Sequence, residues 1–71
     1  MRNKIKQEII RIETAPLYVG ETLIYGERKM SSFLLENIEG ITDLGMELYE
    51  KNPNATVYQL AHNSLKLAYG N

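Results

Sequence analysis

The fold is decided by residues 31–51, whose sequence is SSFLLENIEGITDLGMELYEK. A helix advances about 100° per residue, so side chains three or four positions apart share a face. The acids of this stretch keep that spacing and form a stripe roughly 80° wide. This acidic stripe consists of Glu36, Glu39, Asp43, Glu47 and Glu50. Leucine, isoleucine and tyrosine side chains fill the opposite side, so the pattern predicts one amphipathic helix.

The ends of this helix carry terminal signals. Ser31 or Ser32 suits the N-cap position, and Lys51 suits the negative end of the helix dipole. A break near Gly40 is the main alternative to one continuous helix. Gly45 lies in the middle of the apolar face, where a glycine allows another element to approach closely.

The next segment predicts a second helix, from Asn54 to about Tyr69. Pro53 suits the first helical position with Asn52 as its cap, and Gly70 suits the position just past the end. A narrow ridge of mostly small residues runs along this helix. It comprises Val57, Leu60, Ala61, Ser64 and Ala68. That ridge would meet Gly45 and pair the two helices antiparallel.

The N-terminal part allows two interpretations. Met1, Ile5, Ile9 and Ile12 recur at helical spacing, which favours a helix over residues 3–14. The β-branched isoleucines also suit a strand. Further on, residues 17–19 and 22–25 are short β-prone runs around Gly20, and they predict a hairpin that lies against the helices.

We therefore expect residues 1–71 to form a single small domain that is mostly α-helical. Its order is a helix, a short β-hairpin and a C-terminal antiparallel helix pair. The alternative is an α+β fold in which residues 8–25 form a small antiparallel sheet covered by two helices.

Composition excludes several classes of protein. The chain has no cysteine, so it has no disulfide framework and no thiolate metal site. It shows no apolar core of a signal peptide, no membrane-spanning run and no phosphate-binding glycine motif. His62 is the only histidine. A single histidine cannot form a histidine-rich metal site, so we expect His62 to be an exposed helix residue. The sequence predicts a cytoplasmic, non-enzymatic protein without catalytic residues, metal or cofactor.

The acidic stripe has a functional and a structural interpretation. Like charges four residues apart destabilise a helix, and only Lys51, four residues after Glu47, offsets them. A helix that tolerates these repulsions is suited to a partner with a basic surface. The first hypothesis is thus a regulatory protein, such as an inhibitor or modulator, that presents the acidic stripe to that partner. The structural interpretations are that the stripe is simply the solvated face of an amphipathic helix, or that the chain's own N-terminal cations neutralise it.

Two further surfaces are candidates for contact. Tyr58, Leu65 and Tyr69 share an edge of the last helix and suit either the core or an apolar contact, including a homodimer. The second hypothesis is a nucleic-acid-associated accessory factor that uses the basic N-terminal segment. Its residues are Arg2, Lys4, Lys6 and Arg11. A sequence pI of about 5.7 argues against direct nucleic-acid binding.

Overall fold

The computed structural model describes residues 1–70, which form three helices and one two-stranded antiparallel hairpin. The elements are α1 (Arg2–Thr14), β1 (Leu17–Val19), β2 (Thr22–Tyr25), α2 (Ser32–Lys51) and α3 (Val57–Ala68). The predicted order of helix, hairpin and helix pair is confirmed. The alternative sheet over residues 8–25 is wrong, because residues 8–14 belong to α1.

Helix α1 resolves the ambiguity of the isoleucine-rich segment. Ile5 and Ile9, which lie one turn apart, are both completely buried. Their burial against the other helices decides between helix and strand, because the local preference of isoleucine is weak in comparison with packing. The helix ends where Pro16 forces extended angles on Ala15, whose φ is −63° and ψ 145°.

The hairpin is closed by the two-residue turn Gly20-Glu21. Gly20 has a φ of 62°, and no other residue of the hairpin has a positive φ. A positive φ at the first central position alone matches a type II′ turn, which favours Gly-X. Val19 pairs with Thr22, Tyr18 with Leu23 and Leu17 with Tyr25, so Ile24 is an extra residue in β2.

Helix α2 is continuous, as predicted, and the alternative of a break near Gly40 does not occur. The side chain of Ser31 accepts a hydrogen bond from the Leu34 amide, at 3.1 Å, as expected of an N-cap. The helix runs to Lys51, and Asn52 caps its C-terminus.

The predicted start of the last helix is wrong. Helix α3 begins at Val57, with Thr56 rather than Asn52 as its N-cap. The Thr56 hydroxyl accepts from the Gln59 amide at 3.1 Å, and the Gln59 side chain accepts from the Thr56 amide at 2.9 Å. This reciprocal capping box satisfies the backbone amides of Thr56 and Gln59, and the helix therefore begins after Thr56. Gly70, with a φ of 80°, follows the helix as predicted.

All three helices contribute to one core. Its fully or nearly buried apolar residues are Ile5, Ile9, Leu34, Ile41, Leu60, Ala61 and Leu65. Helices α2 and α3 are antiparallel, as predicted: the ring of Phe33, at the start of α2, lies 5.1 Å from that of Tyr69, just past the end of α3. Helix α1 packs on both.

The helices meet most closely at Gly45. A Cβ atom at this position would lie 2.7 Å from Cγ2 of Ile5 and 2.9 Å from Oγ of Ser64. Both neighbours are fully buried side chains. Gly45 therefore admits α1 as well as α3, whereas the sequence predicted only the contact with the ridge of α3.

The two buried hydroxyl groups are satisfied within their own helices. Thr42 donates to the Ile38 carbonyl at 2.7 Å, and Ser64 donates to the Leu60 carbonyl at 2.6 Å. Among residues 1–70, no buried side-chain nitrogen or oxygen lacks a hydrogen-bond partner. The small residues can therefore line the helix contacts without the desolvation cost of an unpaired polar group.

We predict that Gly45→Ala lowers the free energy of unfolding by about 1–3 kcal/mol, because the added methyl group overpacks the contact with Ile5 and Ser64. Gly40→Ala is the matched control, since its Cβ meets nothing within 4 Å. That change should stabilise the protein by about 0.5–1 kcal/mol, the usual gain from replacing a helical glycine. Urea denaturation measures both. Equal effects of the two substitutions would contradict the close approach at Gly45.

Candidate interaction surfaces

The middle of the acidic stripe is paired within the chain. The guanidinium of Arg2 contacts Asp43 through one nitrogen, and through another it donates to Oε2 of Glu39 at 2.6 Å. Lys6 donates to Oε1 of Glu39 at 2.6 Å. This pairing is what antiparallel packing of α1 against α2 produces: Lys6 lies one turn after Arg2 on α1, and its partner Glu39 lies one turn before Asp43 on α2. The stripe is therefore in part a structural contact.

These ion pairs perturb both partners. Hydrogen bonds from Lys6 and then from Arg2 lower the pKa of Glu39 below its ordinary value of 4.5. Hydrogen bonds to Glu39 and then to Asp43 raise the pKa of Arg2. Because the carboxylates are well exposed, water and salt weaken these pairs.

The rest of the stripe forms an acidic ridge, defined here as Glu36, Glu47 and Glu50. Within residues 1–70, no basic group lies at salt-bridge distance from any of the three, and Lys51 makes no ion pair with Glu47. All three residues are exposed. The carboxylates at both ends of α2 thus remain free for an external cation, while those in the middle do not.

The basic N-terminal segment is largely used by the same contacts. Arg2 and Lys6 bind the acidic stripe, and Arg11 pairs with Glu8 on its own helix. Of the four residues of the nucleic-acid hypothesis, Lys4 alone is exposed without an ion pair in the described chain. The structure does not gather these cations into a separate basic surface.

The predicted apolar contact of the last helix is divided between core and surface. Leu65 is 6% exposed and belongs to the core, so it is not available to a partner. Tyr58 and Tyr69 are exposed, but each ring already has an aromatic neighbour. Tyr58 stacks on His62 at 5.8 Å, and Tyr69 lies against Phe33. His62 is exposed, as the sequence predicted.

The hairpin is the surface that the sequence did not identify. All seven strand residues are exposed, and the apolar ones are Leu17, Tyr18, Val19, Leu23, Ile24 and Tyr25, with exposures from 40% to 67%. No helix packs on the strands, so the expectation that the hairpin lies against the helices is wrong. The sequence shows that both faces of these strands are apolar, but not that they are exposed. A sheet with one solvated face alternates apolar and polar residues, whereas here Thr22 alone is polar in the two strands.

The base of the hairpin is fixed to the end of α1. The Arg28 amide donates to the Thr14 carbonyl at 3.0 Å, and its side chain donates to the carbonyls of Ala15 and Ile12, each at 3.2 Å. These bonds satisfy carbonyl groups that a helix end leaves open. They also bring the two ends of the hairpin segment together.

Residues 1–70 contain no enclosed pocket and no group of three or more His, Asp or Glu side chains that could hold a metal ion. None of the described helices has both the length and the apolar character needed to cross a membrane.

No protein-family model matches this sequence, and comparisons with curated proteins and with solved structures likewise find no match.

We predict that Glu39→Gln lowers the thermal midpoint at pH 7 and that this difference from the wild type shrinks as the pH falls through and below 4.5. A carboxylate with a lowered pKa stabilises the fold above its unfolded-state pKa. That stabilisation is lost as the pH falls through its lower folded-state value. Melting curves by circular dichroism between pH 7 and pH 3 test this.

Glu36→Gln is the control for this prediction, because it removes a carboxylate of the same stripe that has no ion pair in the described chain. It should change the midpoint less than Glu39→Gln at neutral pH. A constant difference between wild type and Glu39→Gln across the whole pH range would show that the ion pairs do not stabilise the fold.

Proposed function

We propose that this chain is a small, non-enzymatic protein-interaction module that binds its protein partner through the hairpin of residues 17–25. The observation that carries the proposal is a hairpin whose six apolar side chains are 40% to 67% exposed and on which no helix packs. Exposed apolar surface of this kind is typical of protein contact sites.

The hairpin is not needed to connect the helices. Because the Arg28 amide bonds to the Thr14 carbonyl, the chain returns at residue 28 to the place it left at residue 14. A short polar turn would join α1 to α2 equally well. Residues 15–27 are thus an excursion from the core, and most of the side chains in its two strands are apolar.

The overall dimensions support this description. The radius of gyration is 12.7 Å, against roughly 11 Å for a compact domain of this length. Since the helices share one core, the larger radius fits a hairpin that projects from them. Tyr18 and Tyr25 suit the contact, because tyrosine pairs a large apolar body with a polar tip and is enriched at interfaces.

The acidic ridge supports a second contact, with a basic surface on the partner. Glu36, Glu47 and Glu50 lie exposed along α2, and the described chain supplies no cation to them. Charges of this kind act mainly on the rate of association. In this arrangement the hairpin supplies buried area, and the ridge steers the partner.

The hairpin proposal is tested by affinity capture from the native host with Leu23→Lys and Leu67→Lys variants. The two leucines are 53% and 54% exposed, so both variants make the same chemical change at equal exposure. We expect Leu23→Lys to abolish capture of the partner and Leu67→Lys, on α3, to retain it. An unchanged set of captured proteins with Leu23→Lys would refute the proposal.

The ridge is tested by association kinetics with the captured partner. We predict that replacing Glu36, Glu47 and Glu50 by glutamine slows association by about tenfold at low salt and weakens its salt dependence. Glu39→Gln, which removes a carboxylate already paired with Lys6 and Arg2, is the control and should slow association less. An unchanged association rate in the triple variant would remove the ridge from the interface.

A further inference from the structure

We infer that the hairpin of residues 17–25 opens and closes in the free chain while the three helices stay folded, and that binding to the partner closes it. The opening follows from the contacts of the two strands. The closure on binding rests on the proposed function, in which the hairpin is the contact element. The hairpin is then a conformational device, because only its closed form holds the apolar side chains in one arrangement.

The strands have no support outside the hairpin. Among the described elements, β1 and β2 contact each other and no helix. The six apolar side chains of the strands are 40% to 67% exposed, and the buried core of residues 1–70 contains none of them. An isolated two-stranded hairpin is only marginally stable in water, and a third strand or a packed helix normally supports it. Opening these strands therefore breaks no contact of the helical core.

The ladder between the strands is short and irregular. Strand β1 has three residues and β2 has four, and three cross-strand pairs join them. The extra residue of β2, Ile24, interrupts the register between the pair at Leu17 and the pair at Tyr18. A bulge of this kind leaves one residue unpaired and locally disrupts the hydrogen-bonded ladder. Few cross-strand contacts thus hold the closed form.

The turn does not compensate for the short ladder. Asn-Gly is the strongest short hairpin signal, whereas this turn is Gly20-Glu21. Gly20 adopts a φ of 62°, and glycine loses more backbone freedom on folding than any other residue. The closed form therefore gives up the entropy of the turn without gaining a contact to the helices.

The opening stops at the base of the hairpin. Arg28 donates three hydrogen bonds to the carbonyls of Ile12, Thr14 and Ala15 at the end of α1. These bonds hold residue 28 beside residue 14 without using any atom of the strands. Helix α1 therefore keeps its end, and α2, which has its own N-cap, begins at the same place in either form. The two forms differ within residues 15–27.

Native-state hydrogen exchange, followed by NMR, tests the independent opening. Relative to their intrinsic rates, the amides of β1 and β2 should exchange at least about a hundredfold faster than those of Ile9 and Ile41, whose side chains are buried in the core. Gly45→Ala destabilises the helix contacts, so it should speed exchange at Ile9 and Ile41 by at least about fivefold and leave the strand amides within about twofold. Strand amides that exchange in parallel with Ile9 and Ile41 in both proteins would overturn the inference.

A change in the turn provides the converse test. Gly20→Ala places an L-residue at a φ of 62°, whereas Gly26→Ala makes the same change at the base of the hairpin, where the added methyl group meets nothing within 4 Å. Gly20→Ala should remove the nuclear Overhauser contact between the cross-strand partners Tyr18 and Leu23, and Gly26→Ala should keep it. Thermal midpoints from helical circular dichroism should stay within about 2 °C of wild type in both variants. A midpoint for Gly20→Ala that falls as far as that of Gly45→Ala would join hairpin and helices in one cooperative unit and overturn the inference.

The closure on binding is measured as the affinity of Glu21→Asn and Glu21→Gln for the captured partner. Both variants remove the charge of the turn, but only Gly-Asn is a sequence that favours a two-residue hairpin turn. A larger closed fraction raises the apparent affinity in proportion, so Glu21→Asn should bind about threefold more tightly than Glu21→Gln. Equal affinities would overturn the coupling and leave the proposed function standing. Capture that Leu23→Lys leaves unchanged would refute the proposed function, whereas hydrogen exchange would still decide the independent opening.

Discussion

Three helices meet at Gly45, and the distance at which they meet depends on the missing side chain. The Cγ2 atom of Ile5 and the hydroxyl of Ser64 occupy the space that a Cβ would need. Ile5 brings α1 to α2, and Ser64 brings α3 to α2, so one residue of the longest helix sets both contacts. Because Ser64 donates to a carbonyl of its own helix, it fills this position without needing a polar partner on α2. The helical core depends on this small-residue contact.

The charges of the chain follow from the same packing. Once Ile5 lies over Gly45, Arg2 and Lys6 on the same side of α1 lie beside Glu39 and Asp43. The N-terminal excess of positive charge and the central excess of negative charge thus become neighbours in the fold. Two of the five acids of the stripe, Glu39 and Asp43, are therefore part of an internal contact. Only the ends of the stripe, which α1 does not reach, remain for an outside partner.

Periodicity predicted the three helices, the hairpin and the antiparallel pair, because apolar spacing follows from which side is buried. The role of Gly45 was predictable for the same reason. The start of α3 was mispredicted because Asn52 followed by Pro53 also matches a helix start, whereas the capping box of Thr56 and Gln59 forms the actual one. The placement of the hairpin was beyond local patterns, since the sequence does not show whether a neighbouring element will cover a given strand. The pairing of Arg2 with Asp43 likewise depends on tertiary packing between distant segments.

The structure separates the residues that hold the fold from those that are free to bind. The core residues belong to the three helices, and none of them lies in the hairpin. Arg28 closes the hairpin at its base with three hydrogen bonds to the end of α1. These bonds do not depend on which side chains stand in the two strands. Substitutions in the strands therefore change the exposed surface without changing the helix contacts. An apolar hairpin on such a base adds nothing to the core beneath it, and its side chains gain burial only from a molecule that covers them.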